Sequence, residues 1–308
     1  MSRARVLALA LGVTALGLAG CGGPDGHPPQ AAPPALAAVP TVTEPGQVTF
    51  PTDAYLVTPE QIREIVRAQD AVAARCMGEY GFAGRPTGLV GLDDMVGERT
   101  TRSLVYGYFD VANAATKGYA NTAPQRLPED PTGAGPMSAQ EQTALTGADP
   151  ATGQPVTTLA GKPLPKGGCL QQARDVLGGP VPNPASGDLP DGGPKIPVSD
   201  PRLVEAFAKW SACMKEKGFD YKEPVNAIGD PAWQRQTQGP SPQEIATAGA
   251  DVACKVANNT VGIVVAVQTA YDKQYIEANA AKLTDYRKRI DDMLRKAAQL
   301  VAPNGSQG

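Results

Sequence analysis

Cys76-Met77-Gly78-Glu79-Tyr80-Gly81-Phe82 and Cys213-Met214-Lys215-Glu216-Lys217-Gly218-Phe219 agree at five of seven positions. Each copy ends a run with helical apolar spacing. Each is followed by one further cysteine, Cys169 after the first and Cys254 after the second. The glycine is a natural helix stop, and the phenylalanine can fold back on the last turn. The expected fold class is therefore mainly α, with two related helical units. The repeat favours closure of each unit by its own disulfide, Cys76–Cys169 and Cys213–Cys254. Four cysteines allow three pairings, and thiols left reduced as small buried residues are the alternative.

Working outward, the first helix begins at Thr58, with Pro59 at its first position and Gln61 completing a capping box. Ile62, Ile65, Val66, Val72, Ala73, Cys76 and Met77 then share a face. Asp200-Pro201 starts the second unit in the same way, and Leu203, Phe207, Trp210 and Met214 share a face there. Two more Ser-x-x-Glu boxes, Ser138 with Glu141 and Ser241 with Glu244, start further helices. The first of these stops at Gly147. Glu79 and Glu216 are expected on the exposed sides of their helix ends. From Ser241 the helical pattern runs to about Ala302, interrupted only by Gly249 and Gly262.

The distal part carries a heptad signature. Ile276, Leu283, Ile290 and Ala297 are spaced by seven, and Asn279, Tyr286, Met293 and Leu300 follow three residues behind, the a/d pattern of a coiled-coil seam. Ile276, Leu283, Tyr286, Ile290, Met293 and Leu300 are the candidate interaction face. An amphipathic helix packed on its own domain gives the same pattern, and the sequence does not separate the two.

Between the first helix and Cys169 lies a loop-rich insert. Ser103-Leu104-Val105-Tyr106-Gly107-Tyr108-Phe109 is its densest aromatic stretch, read as a short strand or an extended loop. Asp110 is a cap for a short helix ending before Gly118. Tyr106, Tyr108 and Tyr119 are either groove-lining residues or, more in keeping with such stretches, a supplement to an aromatic-poor core. Gly167-Gly168-Cys169 leads into a helix through Leu177. A Pro/Gly/Asp-rich linker, 180–199, then separates the unit at 58–179 from that at 200–308.

The N-terminus supplies the compartment. Arg3 and Arg5 precede an apolar run, Val6 to Leu18, and Leu18-Ala19-Gly20-Cys21 follows. That is the form of a secretory signal, and the run is too short for a permanent transmembrane helix of about 20 residues. Residues 1–20 are read as a signal peptide and Cys21 as the lipidated residue. Residues 21–57, rich in Pro, Gly and Ala, read as a tether. The only histidine, His27, lies in a linker whose sequence offers it no catalytic partner and is read as solvated. An even set of four remaining cysteines suits an exported, oxidised chain.

Composition limits the function classes. Aromatics are 5% of the chain, and 34 Gly with 30 Pro favour loops over a single large core. A net charge of −3 without a basic run makes nucleic acid a poor partner. Nucleophile elbow, phosphate-binding loop, His-Glu-x-x-His and Cys-x-x-Cys motifs are missing from the sequence. Asp93-Asp94 and Asp291-Asp292 are adjacent carboxylates of the kind that are usually solvated. No metal ligand set, cofactor or catalytic residue is expected.

The Leu-Ala-Gly-Cys box at Cys21, both Cys-Met-x-x-x-Gly-Phe units, Ala144-Leu145-Thr146-Gly147 and Asp251-Val252-Ala253-Cys254 resemble exported lipoproteins of the Gly/Pro/Ala-rich actinobacterial type. The resemblance implies an envelope location and no established activity. The expectation is a non-enzymatic protein held on the extracytoplasmic face of the cell membrane through lipid on Cys21. It would act by contact with an envelope protein or with itself. The alternative is a ligand-binding lipoprotein of a transport system, disfavoured by the lack of a strand–helix alternation.

Overall fold

The structure, a computed structural model, describes residues 32–84, 106–119, 135–182, 188–234 and 239–301. Cys21, Asp93-Asp94 and Ser103 to Val105 lie outside the described residues. The described body, from Pro34 onward, is one compact unit. It is mainly helical. Its helices are α1 (Pro59–Glu79), α2 (Ala114–Lys117), α3 (Ala139–Thr146), α4 (Gly168–Leu177), α5 (Pro201–Glu216), α6 (Pro224–Ile228), α7 (Pro231–Gln234), α8 (Pro242–Ala257) and α9 (Thr260–Val301). A two-residue hairpin, β1 (Thr158–Leu159) antiparallel to β2 (Lys162–Pro163), precedes α4.

The caps read from sequence are in place. The Thr58 hydroxyl accepts from the Gln61 N–H at 3.2 Å, and the Gln61 side chain accepts from the Thr58 N–H at 3.1 Å. Ser138 and Glu141 reciprocate in the same way at the start of α3. Ser241 caps α8 and Asp200 caps α5. Each cap satisfies amide donors that a helix start otherwise leaves unpaired.

Both cystines form, Cys76–Cys169 between α1 and α4 and Cys213–Cys254 between α5 and α8, with Cα separations of 5.6 and 5.7 Å. The repeated heptapeptide proves to be one local device used twice. In α1 the Phe82 N–H returns to the Met77 carbonyl at 3.1 Å and the Gly81 N–H to Gly78 at 3.1 Å. In α5, Phe219 returns to Met214 and Gly218 to Lys215, each at 3.0 Å. These are paired Schellman caps, with Gly81 and Gly218 at φ +92° and +90°. Met77 and Met214 are fully buried, and each phenylalanine packs into the same cluster as its methionine. Glu79 and Glu216 are exposed, as expected.

The boundary read at 180–199 is crossed in both directions. Tyr106, Tyr108, Phe109, Ala114 and Tyr119, from the insert of the first unit, lie in the core built by α5, α8 and the start of α9. The distal part of α9, from the second unit, packs on α1 and α4. An aromatic-poor chain fills its cores by exchanging what it has between the halves.

Two further expectations are corrected. The tether reading of 21–57 fails for its second part. Val42, Val48, Phe50 and Val57 are buried, and Leu36 packs against the same core as Val42. Proline-rich backbone makes no ladder, yet an extended strap can still bury apolar side chains spaced along it. Secondly, α8 and α9 are not continuous. They meet at 64°, and the break falls at Asn258-Asn259, not at Gly249 or Gly262. Asn259 takes a left-handed φ of +47°, which asparagine tolerates better than most residues. Its side chain donates to the Pro40 carbonyl at 2.8 Å and accepts from the Val42 N–H at 3.1 Å. Gly262 has the opposite role, since a Cβ there would collide with the Pro40 carbonyl oxygen. The strap crosses α9 where that side chain is missing.

Candidate functional site

Along α9 the heptad seam is filled from within the chain. Leu283, Tyr286 and Ile290 cluster with Val57, Ile62 and Val66. Met293 and Ala297 cluster with Ile65, Ala68 and Leu177, and Leu300 packs beside Met77 and Ala173. Partners advance in the same direction on both helices, so α1 and distal α9 run parallel. Ile276 and Leu300 are half-buried, and Leu283, Tyr286, Ile290 and Met293 are buried. The face read as a candidate interaction surface is thus covered by α1, because period-seven spacing records a helical neighbour without recording whose it is. Asn279 sits in that seam with φ −123°, outside helical values, and its side chain donates to the Tyr275 carbonyl. At about 63 Å, α9 spans both cores without projecting.

The aromatic stretch is also core. Tyr119 stacks on Trp233 at 5.6 Å and meets Tyr108 edge-on at 5.3 Å. Burial pushes all three hydroxyls of Tyr108, Tyr119 and Tyr221 well above the ordinary phenol value.

Beneath these rings lies a feature the sequence did not disclose, a fully buried ion pair one turn apart on α8. Lys255 Nζ is 2.8 Å from Asp251 Oδ1 and 2.9 Å from Oδ2, and it donates to the Tyr108 carbonyl at 2.6 Å. Trp210 Nε1 donates to Asp251 Oδ1 at 3.0 Å, and the Tyr119 hydroxyl donates to Oδ2 at 3.2 Å. Both side chains are wholly inaccessible. Burial pushes the Asp251 carboxyl up and the Lys255 ammonium down, while their mutual attraction and these hydrogen bonds oppose the shift. Close by, Glu244 accepts from the Tyr119 N–H at 2.9 Å. The available signal was an Asp-x-x-x-Lys pair on the face of α8 that also carries Ala248, Val252 and Cys254. The node ties α5, α8 and the 106–119 segment together, and its donors and acceptors are saturated.

A second buried carboxylate, Asp272 on α9, accepts from the Thr52 hydroxyl at 2.6 Å and the Thr52 N–H at 3.3 Å. Asp200 is held in a third arrangement. Its oxygens take Arg202 at 2.6 and 2.8 Å and the Tyr271 hydroxyl at 3.0 Å, and Arg202 reaches on to the Pro34 carbonyl. Those Arg202 bonds hold the Asp200 carboxyl down at about 2.

On the outer side of α5 lies an open groove of about 470 Å³, lined by Val204, Phe207, Ser211, Lys215 and Glu223 with Val198 at its edge. Val198 is 92% exposed and Val204 53% exposed. Among the described residues no cluster of histidine, cysteine, aspartate and glutamate has a metal-binding arrangement. Among them, too, no single helix is long and apolar enough to cross a membrane. The bent α8–α9 pair has the composition for it, but its apolar residues, Val252, Val261 and Val264 among them, form the core. No protein-family model, curated protein or solved structure matches the chain.

Proposed function

We propose that the protein is a non-enzymatic, lipid-anchored extracytoplasmic protein that acts by contact with an envelope partner through its folded body. The observation that carries this reading is the pair of cystines, which close 93 and 41 residues of chain. Structural disulfides of this kind persist in oxidising compartments and are rare in reducing ones. The Leu18-Ala19-Gly20-Cys21 sequence supplies the anchor, as in the exported lipoproteins the chain resembles. With the α9 seam occupied by α1, the exposed valines beside the α5 groove support a contact through the body in place of the terminal helix. Tyr106, Tyr108 and Tyr119, the residues that motivated a ligand-binding alternative, are committed to the core.

Two measurements test it. Metabolic labelling with a clickable fatty acid should mark the wild type and miss Cys21→Ala, which should leave the membrane fraction. A photocrosslinking residue at Val204 should capture a partner in intact cells. The same residue at Lys288, on the solvent face of α9, serves as the comparison. Soluble, unlabelled protein would end the anchoring reading. Capture from Lys288 alone would move the contact to α9, and capture from neither would remove the contact reading.

A further inference from the structure

We propose that Asp272 and Thr52 form an acid-tightened latch that sets how often the 34–57 strap opens from α9. Asp272 is fully buried, and its two described hydrogen bonds both come from Thr52, 220 residues away in sequence, through Oδ2. Its other oxygen, Oδ1, is buried and has no hydrogen-bonding partner among the described residues. The charge facing it from the strap is Asp53, of like sign. On α9 itself, Lys273 is exposed, Tyr271 is engaged by Asp200 and Arg202 from the start of α5, and Tyr275 donates to the Pro190 carbonyl beside Asp191. Among the described residues no cation is therefore assigned to this carboxylate. Contrast Asp251, where a buried carboxylate is given an ammonium and two further donors.

The chemistry follows from that difference. An ionised carboxylate buried with one oxygen unsatisfied is costly, whereas the neutral acid keeps the Thr52 contact and removes the charge. Burial raises the Asp272 carboxyl above the ordinary 3.8, with the Thr52 bonds opposing and the Asp53 charge adding to the rise. The closed strap therefore binds the proton more tightly than the open one. Closure is favoured most below the open-state value and weakens as pH rises through the closed-state value. Above that the effect is constant. One proton permits at most about a tenfold rise in opening per pH unit within the window.

The strap lies outside both cystine loops, so opening leaves each crosslinked helix pair intact. Val42, Val48, Phe50 and Val57 still hold it, so the latch tunes opening frequency and does not act as an all-or-none release. If opened fully, the 24 residues from Pro34 to Val57 would add about 80 Å of reach. The consequence for reach rests on the anchoring reading. The latch does not, and its test is separate.

The test is hydrogen exchange on the oxidised, unanchored protein from pH 3.5 to 8, corrected for intrinsic rates, with α1 amides as internal reference. Opening of Val48 to Leu56 should rise with pH from about 3.8 and then level off, while α1 does not follow. Asp272→Asn should flatten the profile. Asp53→Asn, which keeps an acceptor for the Phe50 N–H, should leave the onset in place and bring the levelling-off to lower pH, with a smaller total rise. A direct carboxyl-carbon titration of Asp272 in the unaltered protein covers the case in which a variant does not fold. A strap profile no steeper than that of α1, retention of the wild-type profile by Asp272→Asn, or an Asp272 titration at or below the ordinary value would each overturn the proposal.

Discussion

Replacing Lys255 by methionine isolates what the buried ion pair contributes. Methionine keeps most of the side-chain length and removes the charge. Asp251 then retains the Trp210 and Tyr119 donors but loses its cation, and the Tyr108 carbonyl loses a donor at 2.6 Å. Both partners of the pair are wholly inaccessible, so water cannot substitute without opening the core. Stranding one member of such a pair costs about 3 to 5 kcal/mol. For a body of this size that corresponds to a fall in Tm of about 6 to 20 °C. The sign with pH is fixed as well. Asp251, already pushed up by burial, rises further without Lys255, so the folded variant holds a proton that the unfolded chain releases. The deficit should therefore be largest at neutral pH and shrink as pH falls toward the unfolded carboxylate value. Urea unfolding of the oxidised protein at pH 5 and pH 7.5 measures both effects. The double change Asp251→Leu with Lys255→Met removes the stranded charge but takes partners from the Tyr119 hydroxyl, Trp210 Nε1 and the Tyr108 carbonyl, so it should abolish the pH dependence and recover only part of the loss. A single-variant deficit below about 1 kcal/mol, or one that ignores pH, would refute the view that the pair is ionised and dry.

The crosslinks and caps give further expectations. Replacing Cys76 and Cys169 together by alanine should cost about 4.7 kcal/mol on the chain-entropy model, and replacing Cys213 and Cys254 about 3.9 kcal/mol, for loops of 93 and 41 residues. Denaturant titration of the two double variants should show that order, and the reverse order would point to native-state strain or residual structure in place of loop entropy. Gly218→Ala forces an L side chain to φ +90° at the end of α5 and should cost about 1 to 2 kcal/mol, read as a lowered urea midpoint with an unchanged slope. Asp200 contributes stability that is present above the ordinary carboxylate value and lost as pH falls toward about 2, because Arg202 holds its folded value down. Asp200→Asn should reduce the steepness of acid unfolding between pH 4 and pH 2, and an unchanged acid limb would remove Asp200 from that transition.

Much of the fold was legible because it is written in short-range chemistry. Thr58 with Gln61, Ser138 with Glu141, Asp200-Pro201 and Ser241-Pro242 each mark a helix start through contacts within four residues. The cystine pairing followed from the repeat. What escaped was long-range. Strap residues Val42, Val48 and Phe50 are too sparse among prolines to give a period, and their burial depends on a groove that α9 supplies. The bend at Asn259 depends on Pro40, more than 200 residues earlier. The α9 seam was read correctly as apolar, but periodicity fixes a face and not the identity of its partner. The Asp251–Lys255 pair has the i,i+4 spacing of any helix-surface pair, and only the closure of Tyr108, Tyr119 and Trp210 over it makes it core.

The same distinction explains why a sequence repeat need not mean a structural duplication. The two heptapeptides specify identical helix ends, down to matching backbone bonds from Phe82 to Met77 and from Phe219 to Met214. Their cystine partners nevertheless stand in different places, Cys169 in the first turn of α4 and Cys254 in the last turn of α8. The surroundings differ too, because the first unit lends residues 106–119 to the second core and receives distal α9 in return. A half containing only residues 58–179 would keep its crosslink and its cap but expose the α1 face that Leu283, Ile290 and Met293 cover. The other half would keep Cys213–Cys254 yet leave Lys255 without the Tyr108 carbonyl and Asp251 without Tyr119. The repeat thus encodes where two helices stop and are stapled, while the exchanged segments make the halves one folding unit.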